Sequence, residues 1–331
     1  MNYLFLFALY GANFMNAYFC ADQSRSLKED IIGSAPNNEI YVLIECPTPW
    51  AESAFDSKCI PRNLKDLKDK ITAEKMPVNL LLINEYDSSK QTQTVICFKK
   101  KQGFSKSYSR WEIEVQNLEE VAPLVETYLN ETDLVCTDLE SSIRDILVCT
   151  HGTHDKCCAK YGIPFYREAF VTIKNLNLKG VRIWQSSHFG GHRFAPTVID
   201  FPEGRYYGVL TQNTFCSILT RSGDVNCMRE VYRGWSILSI YAQVLERELL
   251  LLHGWEWFNF TVESQVISQN EYKTFNQIRL TYKSPDNILR SCVADVVKDD
   301  IKTLCLKGSC NAEKELERVK FSAHNLIFSE G

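Results

Sequence analysis

The sequence predicts an α/β protein in which one ground plan of strands and helices occurs twice and is followed by a small β-rich appendix. Two observations carry that expectation. Apolar strand patterns and amphipathic helical patterns succeed one another in the same order in two consecutive stretches. Each stretch also opens with a strand that ends on a cysteine, Cys46 in the first and Cys149 in the second. The 331 residues suffice for more than one core, and 45% hydrophobic with 24% charged residues is the balance of a globular chain. With 37 basic against 41 acidic residues there is no overall basic field, so nucleic acid is not an expected partner.

Residues 1–16 read as a mis-assigned start or an apolar leader. No Lys or Arg precedes Arg25, Gly11, Asn13 and Asn16 interrupt the apolar run, and Met15 opens a plausible shorter chain. A spanning helix is not expected there, and no membrane partner is expected either. Residues 17–135 form the first unit: a strand over Glu39–Glu45, a helix through Leu64, Leu67 and Ile71, strands at Val78–Ile83, Thr92–Phe98 and Trp111–Val115, and a helix with Leu118, Val121, Leu124 and Tyr128 whose start Pro123 blurs. That order suits a thioredoxin-like layer of sheet and helices.

Residues 140–255 repeat it. Asp145–Val148 is a strand ending in Cys149, Tyr166–Ile173 a helix, Val181–Trp184 a strand, and Thr197–Phe201 and Tyr206–Leu210 a hairpin turned by Pro202-Glu203-Gly204-Arg205. An apolar helix over Ser236–His253, stopped by Gly254, closes the unit. Residues 256–331 alternate over Phe258–Val262, Gln277–Tyr282, Ser291–Val297 and Val319–Phe328 and read as a β-rich appendix without chemistry of its own.

Chemistry concentrates in the second unit. Four of the six histidines and three of the thirteen cysteines fall within residues 149–192. Soft thiols and imidazoles clustered in this way mark a metal site, with Cys149 and Cys158 on one loop and His188 and His192 on another. His151 and His154 lie between the cysteines as competitors, although solvated loop histidines are expected there. Zinc accepts two Cys and two His, but its fingers space cysteines two to four apart. The nine-residue separation leaves room for a two-iron cluster, on which two histidines can replace two cysteines. The first unit reads as degenerate: Cys46 and Cys59 stand thirteen apart, and thirty positions after Cys59 stands Ser89 where the second unit has His188. Buried, incidental thiols are expected of that pair.

The stretches CTHGTHDKCCAKYGIPFY, WQSSHFGGHRFAPTVIDFPEGRYYG and YRGWS, with FCADQSR and IECPTPWAESAFDSK upstream, resemble the sucrase/ferredoxin-like family over roughly residues 17–255. That family is a branch of thioredoxin-like ferredoxins. The resemblance implies a 2Fe–2S cluster held by Cys149, Cys158, His188 and His192, and a ferredoxin-like electron carrier or component of a reductase. Cys157 is a reserve ligand or a redox thiol. A structural zinc protein, and a sucrose-cleaving hydrolase as the family name suggests, are the alternatives.

Two neutral imidazoles in place of two thiolates make such a site two charges less negative, which raises its potential. Residues 149–193 carry seven Lys or Arg against two Asp or Glu, a collar that suits acidic redox donors and acceptors. Scattered cysteines point to a reducing compartment, the cytoplasm.

Overall fold

The computed structural model describes residues 18–85, 90–130 and 143–330. The apolar start at residues 1–16, Ser89 and the junction between the first two units lie outside the described residues. The molecule is mixed α/β, with one large mixed sheet and a separate, smaller antiparallel sheet.

The first half contains α1 (Cys20–Ser26), β1 (Ile40–Glu45), α2 (Arg62–Ala73), β2 (Val78–Asn84), β3 (Gln93–Lys100), β4 (Tyr108–Val115) and α3 (Val121–Asn130). The second contains β5 (Arg144–Cys149), α4 (Ile163–Asn175), β6 (Val181–Ser186), β7 (Val198–Phe201), β8 (Arg205–Tyr207), α5 (Gln212–Thr220), α6 (Met228–Val231), β9 (Tyr232–Trp235) and α7 (Ile240–His253). The nine strands lie in the order β4-β3-β1-β2-β6-β5-β7-β8-β9. In each half the first two strands pair in parallel, the third runs antiparallel to the first, and the fourth antiparallel to the third. The halves join where the ends of β2 and β6 pair antiparallel, Ile83 with Ser186 and Asn84 with Gln185.

Packing explains the elements. β1 is buried from Tyr41 to Glu45 because both its faces are covered. Val42 and Ile44 meet Leu64, Leu67 and Ile71 of α2 and Val121 and Val125 of α3, whereas Tyr41 and Leu43 join a second core that runs through the other half. The sheet curls, so that Phe98 of β3 stacks on Phe201 of β7 at 4.2 Å and Arg110 of β4 reaches the buried Asp145 of β5 at 3.1 Å. Pro123 sits in the first turn of α3, where a missing N–H leaves no intrahelical bond unmade. The last helix of this region starts at Ile240 rather than Ser236, since the Ser239 side chain accepts from Ala242 N and caps it.

The hairpin strand expected to reach Leu210 stops at Tyr207, and Val209 takes a φ of +55°. The appendix is β-rich as expected: β10 (Thr261–Gln269), β11 (Phe275–Lys283), β12 (Leu289–Lys298) and the last strand form an antiparallel sheet. β13 (Leu304–Lys307) and β14 (Glu315–Arg318) form a hairpin before that last strand, β15 (Phe321–Glu330). Phe258 itself belongs to a short 3₁₀ helix, Gly254–Asn259, and not to a strand. Among the described residues no helix is long and apolar enough to cross a membrane.

Candidate metal centre

Cys149 is the last residue of β5, and Cys158 opens a π-helical turn, Cys158–Gly162, that leads into α4. The intervening loop folds back on itself, Asp155 N donating to His151 O and Cys158 N to Asp155 O. Gly162 lets the turn close on the strand end, because a Cβ there would stand 2.0 Å from Cys149 O. Both cysteines are buried.

The second loop leaves β6 and is pinned at once: Ser187 N donates to Leu82 O at 2.8 Å and Ser187 Oγ accepts from Leu82 N at 2.9 Å. Gly190 and Gly191 then take φ of +92° and +84°. A Cβ at Gly191 would meet the buried Arg233 guanidinium at 2.6 Å, and Arg233 Nη1 donates to Gly190 O. This geometry needs glycine. It sets His188 Nδ1 3.7 Å from the sulfurs of both Cys149 and Cys158. The rings of His188 and His192 stack with centroids 5.0 Å apart, and His154 stacks on His188 at 4.1 Å.

Cys149, Cys158 and His188 thus form one cluster of ligand-type atoms, and His154, His188 and His192 a second. His188 is common to both, while His192 reaches the cysteines only by way of it. His192 Nε2 donates to Gly308 O in the appendix, which fixes the tautomer and leaves Nδ1 as the lone-pair nitrogen. That Nδ1 is buried and has no hydrogen-bond partner among the described residues, with Asp155 Oδ2 at 3.6 Å.

Charge in the site follows from contact. Burial opposes ionisation at Cys149, but hydrogen bonds from Cys158 and His188 outweigh it and hold the thiol well below its ordinary value. Cys158, hydrogen-bonded to that sulfur and buried, is pushed up. Burial lowers His192, so its imidazole is held neutral. A cleft of about 700 Å³, bounded by residues 51–56 of the first half and by Leu80, opens onto His154 and His188.

Three expectations change. His151 is not solvated: it is 3% exposed, its Nδ1 accepts from His188 N and its Nε2 donates to Ala51 O at 2.7 Å, so it bridges the halves and has no nitrogen left for a metal. His154 is half-buried against His188 rather than free in water. Cys46 and Cys59 are not merely incidental core thiols, since Cys59 is exposed and their sulfurs lie 2.8 Å apart.

Sequence reasoning also missed a group made by Cys20, Asp155, Cys157 and Cys310, whose ligand atoms lie within 4.8 Å of one another. It brings the appendix, read as free of chemistry, to the edge of the site. Cys157 stands out in the sequence by its place beside Cys158, whereas Cys20 and Cys310 carry no local pattern.

Comparison with known proteins identifies the family. The profile of the sucrase/ferredoxin-like family matches residues 31–234, a span that holds both loops and both halves of the sheet. The chain is 31% identical over 103 residues to "Altered inheritance of mitochondria protein 32" of Meyerozyma guilliermondii, across 29% of this chain and 36% of that protein. It therefore spans about a third of the length of that curated relative. No solved structure matches. Because the family profile covers more than half of its residues, the chain belongs to the sucrase/ferredoxin-like family.

Proposed function

We propose that the protein is an electron carrier, or the electron-carrying component of a reductase, with a 2Fe–2S cluster held by Cys149 and Cys158 on one side and His188 and His192 on the other. One observation carries the reading. Two adjacent buried thiols, one of them favoured as thiolate, face a stacked pair of histidines of which one keeps a buried, unpartnered Nδ1. That donor set suits a cluster clamped by a cysteine pair and a histidine pair. When bound, the group supplies one-electron transfer at a higher potential than an all-thiolate site, because the imidazoles are neutral.

The chain's own residues shape that task. The Gly308 carbonyl holds the proton of His192 on Nε2 and leaves Nδ1 as the nitrogen with a free lone pair, as outer partners of metal-bound histidines do. His151 orders the backbone of His188. Phe189 and Phe194, both buried, keep water from the rear of the loop. His154 and His188 on the wall of the cleft mark the side from which a redox partner approaches. We further infer that residues 17–135 and 140–255 are two thioredoxin-like domains, a division supported by the repeated strand order and by a cysteine pair at the same end of each half.

A single-ion site has one observation in its favour: 3.7 Å from His188 Nδ1 to both sulfurs is a span that one zinc ion bridges. Sucrose cleavage has none. Hydrolysis of a glycosidic bond uses two carboxylates flanking it, whereas Asp155 is buried with its oxygens accepting from the backbone of Cys157 and Cys310. The deciding experiment is purification without oxygen, with the expectation of about two iron and two sulfide per chain and an electron spin signal on reduction. Iron-free protein from iron-replete cells overturns the cluster.

A further inference from the structure

Cys157 and Cys158 are neighbours in sequence but serve different surroundings. Cys158 faces Cys149 and His188, whereas Cys157 Sγ lies 3.5 Å from Cys20 Sγ and 3.3 Å from Cys310 Sγ. The third side of that triangle, Cys310 to Cys20, is 3.6 Å. Asp155 completes the group, with Oδ1 3.1 Å from Cys310 Sγ. A zinc ion bound at about 2.3 Å by thiolates in a tetrahedron separates them by about 3.8 Å along each edge. The observed edges are slightly tighter. Three thiols and a carboxylate held so close repel one another as they ionise, and a divalent cation removes that repulsion.

The surroundings are built as metal sites are. Asp155 is held by Cys157 N at 2.8 Å and by Cys310 N at 3.0 Å, so its carboxylate cannot swing away. Ala21 N donates to Cys157 Sγ at 3.4 Å. Cys20, Asp155 and Cys157 are buried, and only the side of Cys310 faces solvent.

We propose that Cys20, Cys157, Cys310 and Asp155 form a second, structural site for a zinc-class divalent cation. Binding displaces the thiol protons to solvent, and no electron is transferred. The ion ties α1, the cysteine loop and the β13–β14 loop into one unit. It thereby holds Gly308 against His192, so that one site orders an imidazole of the other. The inference does not depend on the cluster reading.

The test uses full-length protein carrying Cys149→Ser and Cys158→Ser, which removes the thiols of the other site. This protein, reduced and stripped of metal, is titrated with Co²⁺ and then with Zn²⁺. One equivalent of Co²⁺ should give thiolate-to-metal charge-transfer bands and tetrahedral ligand-field bands, and Zn²⁺ should abolish them. Adding Cys310→Ser, a change on a half-exposed loop, should remove the response while the far-ultraviolet dichroism stays the same. Cys20→His in place of that change keeps four ligands and should retain binding with weaker charge-transfer absorption. Absence of cobalt uptake by the folded protein, uptake indifferent to Cys310→Ser, or a disulfide among the three cysteines in peptide maps of thiol-blocked protein would each overturn the site. Loss of the cluster reading would show separately, as missing iron in the unaltered chain.

Discussion

The two halves of the large sheet share a strand order and each brings two cysteines together at the end of its first strand, yet among the described residues only the second half adds histidines to its pair. In the first half Cys46 follows β1 by one residue and meets Cys59 at 2.8 Å. In the second half Cys149 is the last residue of β5, and the glycine-bearing loop after β6 delivers His188 to both sulfurs. A scaffold of this kind positions groups; the loops decide which groups arrive. The first half still contributes, since Ala51 and Glu52 accept hydrogen bonds from His151 and His154. It works as a wall for the site.

Breaking the thiols separates the halves most sharply. Cys149→Ser or Cys158→Ser should abolish bound iron and sulfide, while Cys46→Ser, Cys59→Ser and Cys157→Ser should retain them. Colorimetric iron and sulfide assays on protein purified without oxygen decide it, and iron loss in Cys46→Ser would mean that the first half holds part of the cofactor. Changing His188 and His192 together to Cys should keep the cluster and lower its potential by roughly a few hundred millivolts, as all-Cys and Rieske-type centres differ. Redox titration over a pH series should also show a flatter pH dependence in the double variant.

The histidine loop has a tie that has no described counterpart in the first half. Arg193, next to His192, and Lys320 of the appendix both donate to the buried Glu29. Glu29→Ala leaves the buried Lys320 and the half-buried Arg193 without their carboxylate and should cost about 3 kcal/mol in a denaturant titration. Burial raises the Glu29 carboxyl, but Arg193 and Lys320 outweigh it and hold the group below its ordinary 4.5. A depressed carboxylate stabilises the fold fully above the unfolded value and loses that contribution as pH falls through the folded one. The wild type should therefore destabilise below about pH 4.5 more steeply than Glu29→Gln.

Gly162→Ala should cost about 1–3 kcal/mol by forcing α4 off the Cys149 carbonyl. Four residues past the first half's second cysteine stands the exposed Asn63, where alanine removes one hydrogen bond to Glu119 O and should cost no more than about 1 kcal/mol. Equal costs at the two positions would mean that the close approach in the second half is not what shapes its loop.

Much of this arrangement was legible locally. Strand alternation and helical stripes placed the repeated halves, and clustered donors singled out Cys149, Cys158, His188 and His192. Illegible parts were of two physical kinds. β9, with sequence YRGW, is short and carries an arginine and a glycine, so its burial comes from tertiary packing rather than from pattern. His151 sits in a polar loop that reads as wet, and only the fold reveals that both its ring nitrogens are satisfied by backbone. The meeting of Cys20 with Cys310 spans 290 positions, beyond the reach of any spacing rule.

That separation also bears on biosynthesis. A chain emerging from the ribosome can pair β1 with β2 early, because their partners lie close in sequence, but α1 must wait until the β13–β14 loop has been made before its cysteine finds Cys310. The junction of α1 with the β13–β14 loop beside the cysteine loop thus forms only after all nine strands of the large sheet have been made. Until then Cys20 and Cys157 have only each other and the residues around Ala195 as a cover, and a chain terminated before Cys310 lacks the third thiol of the group.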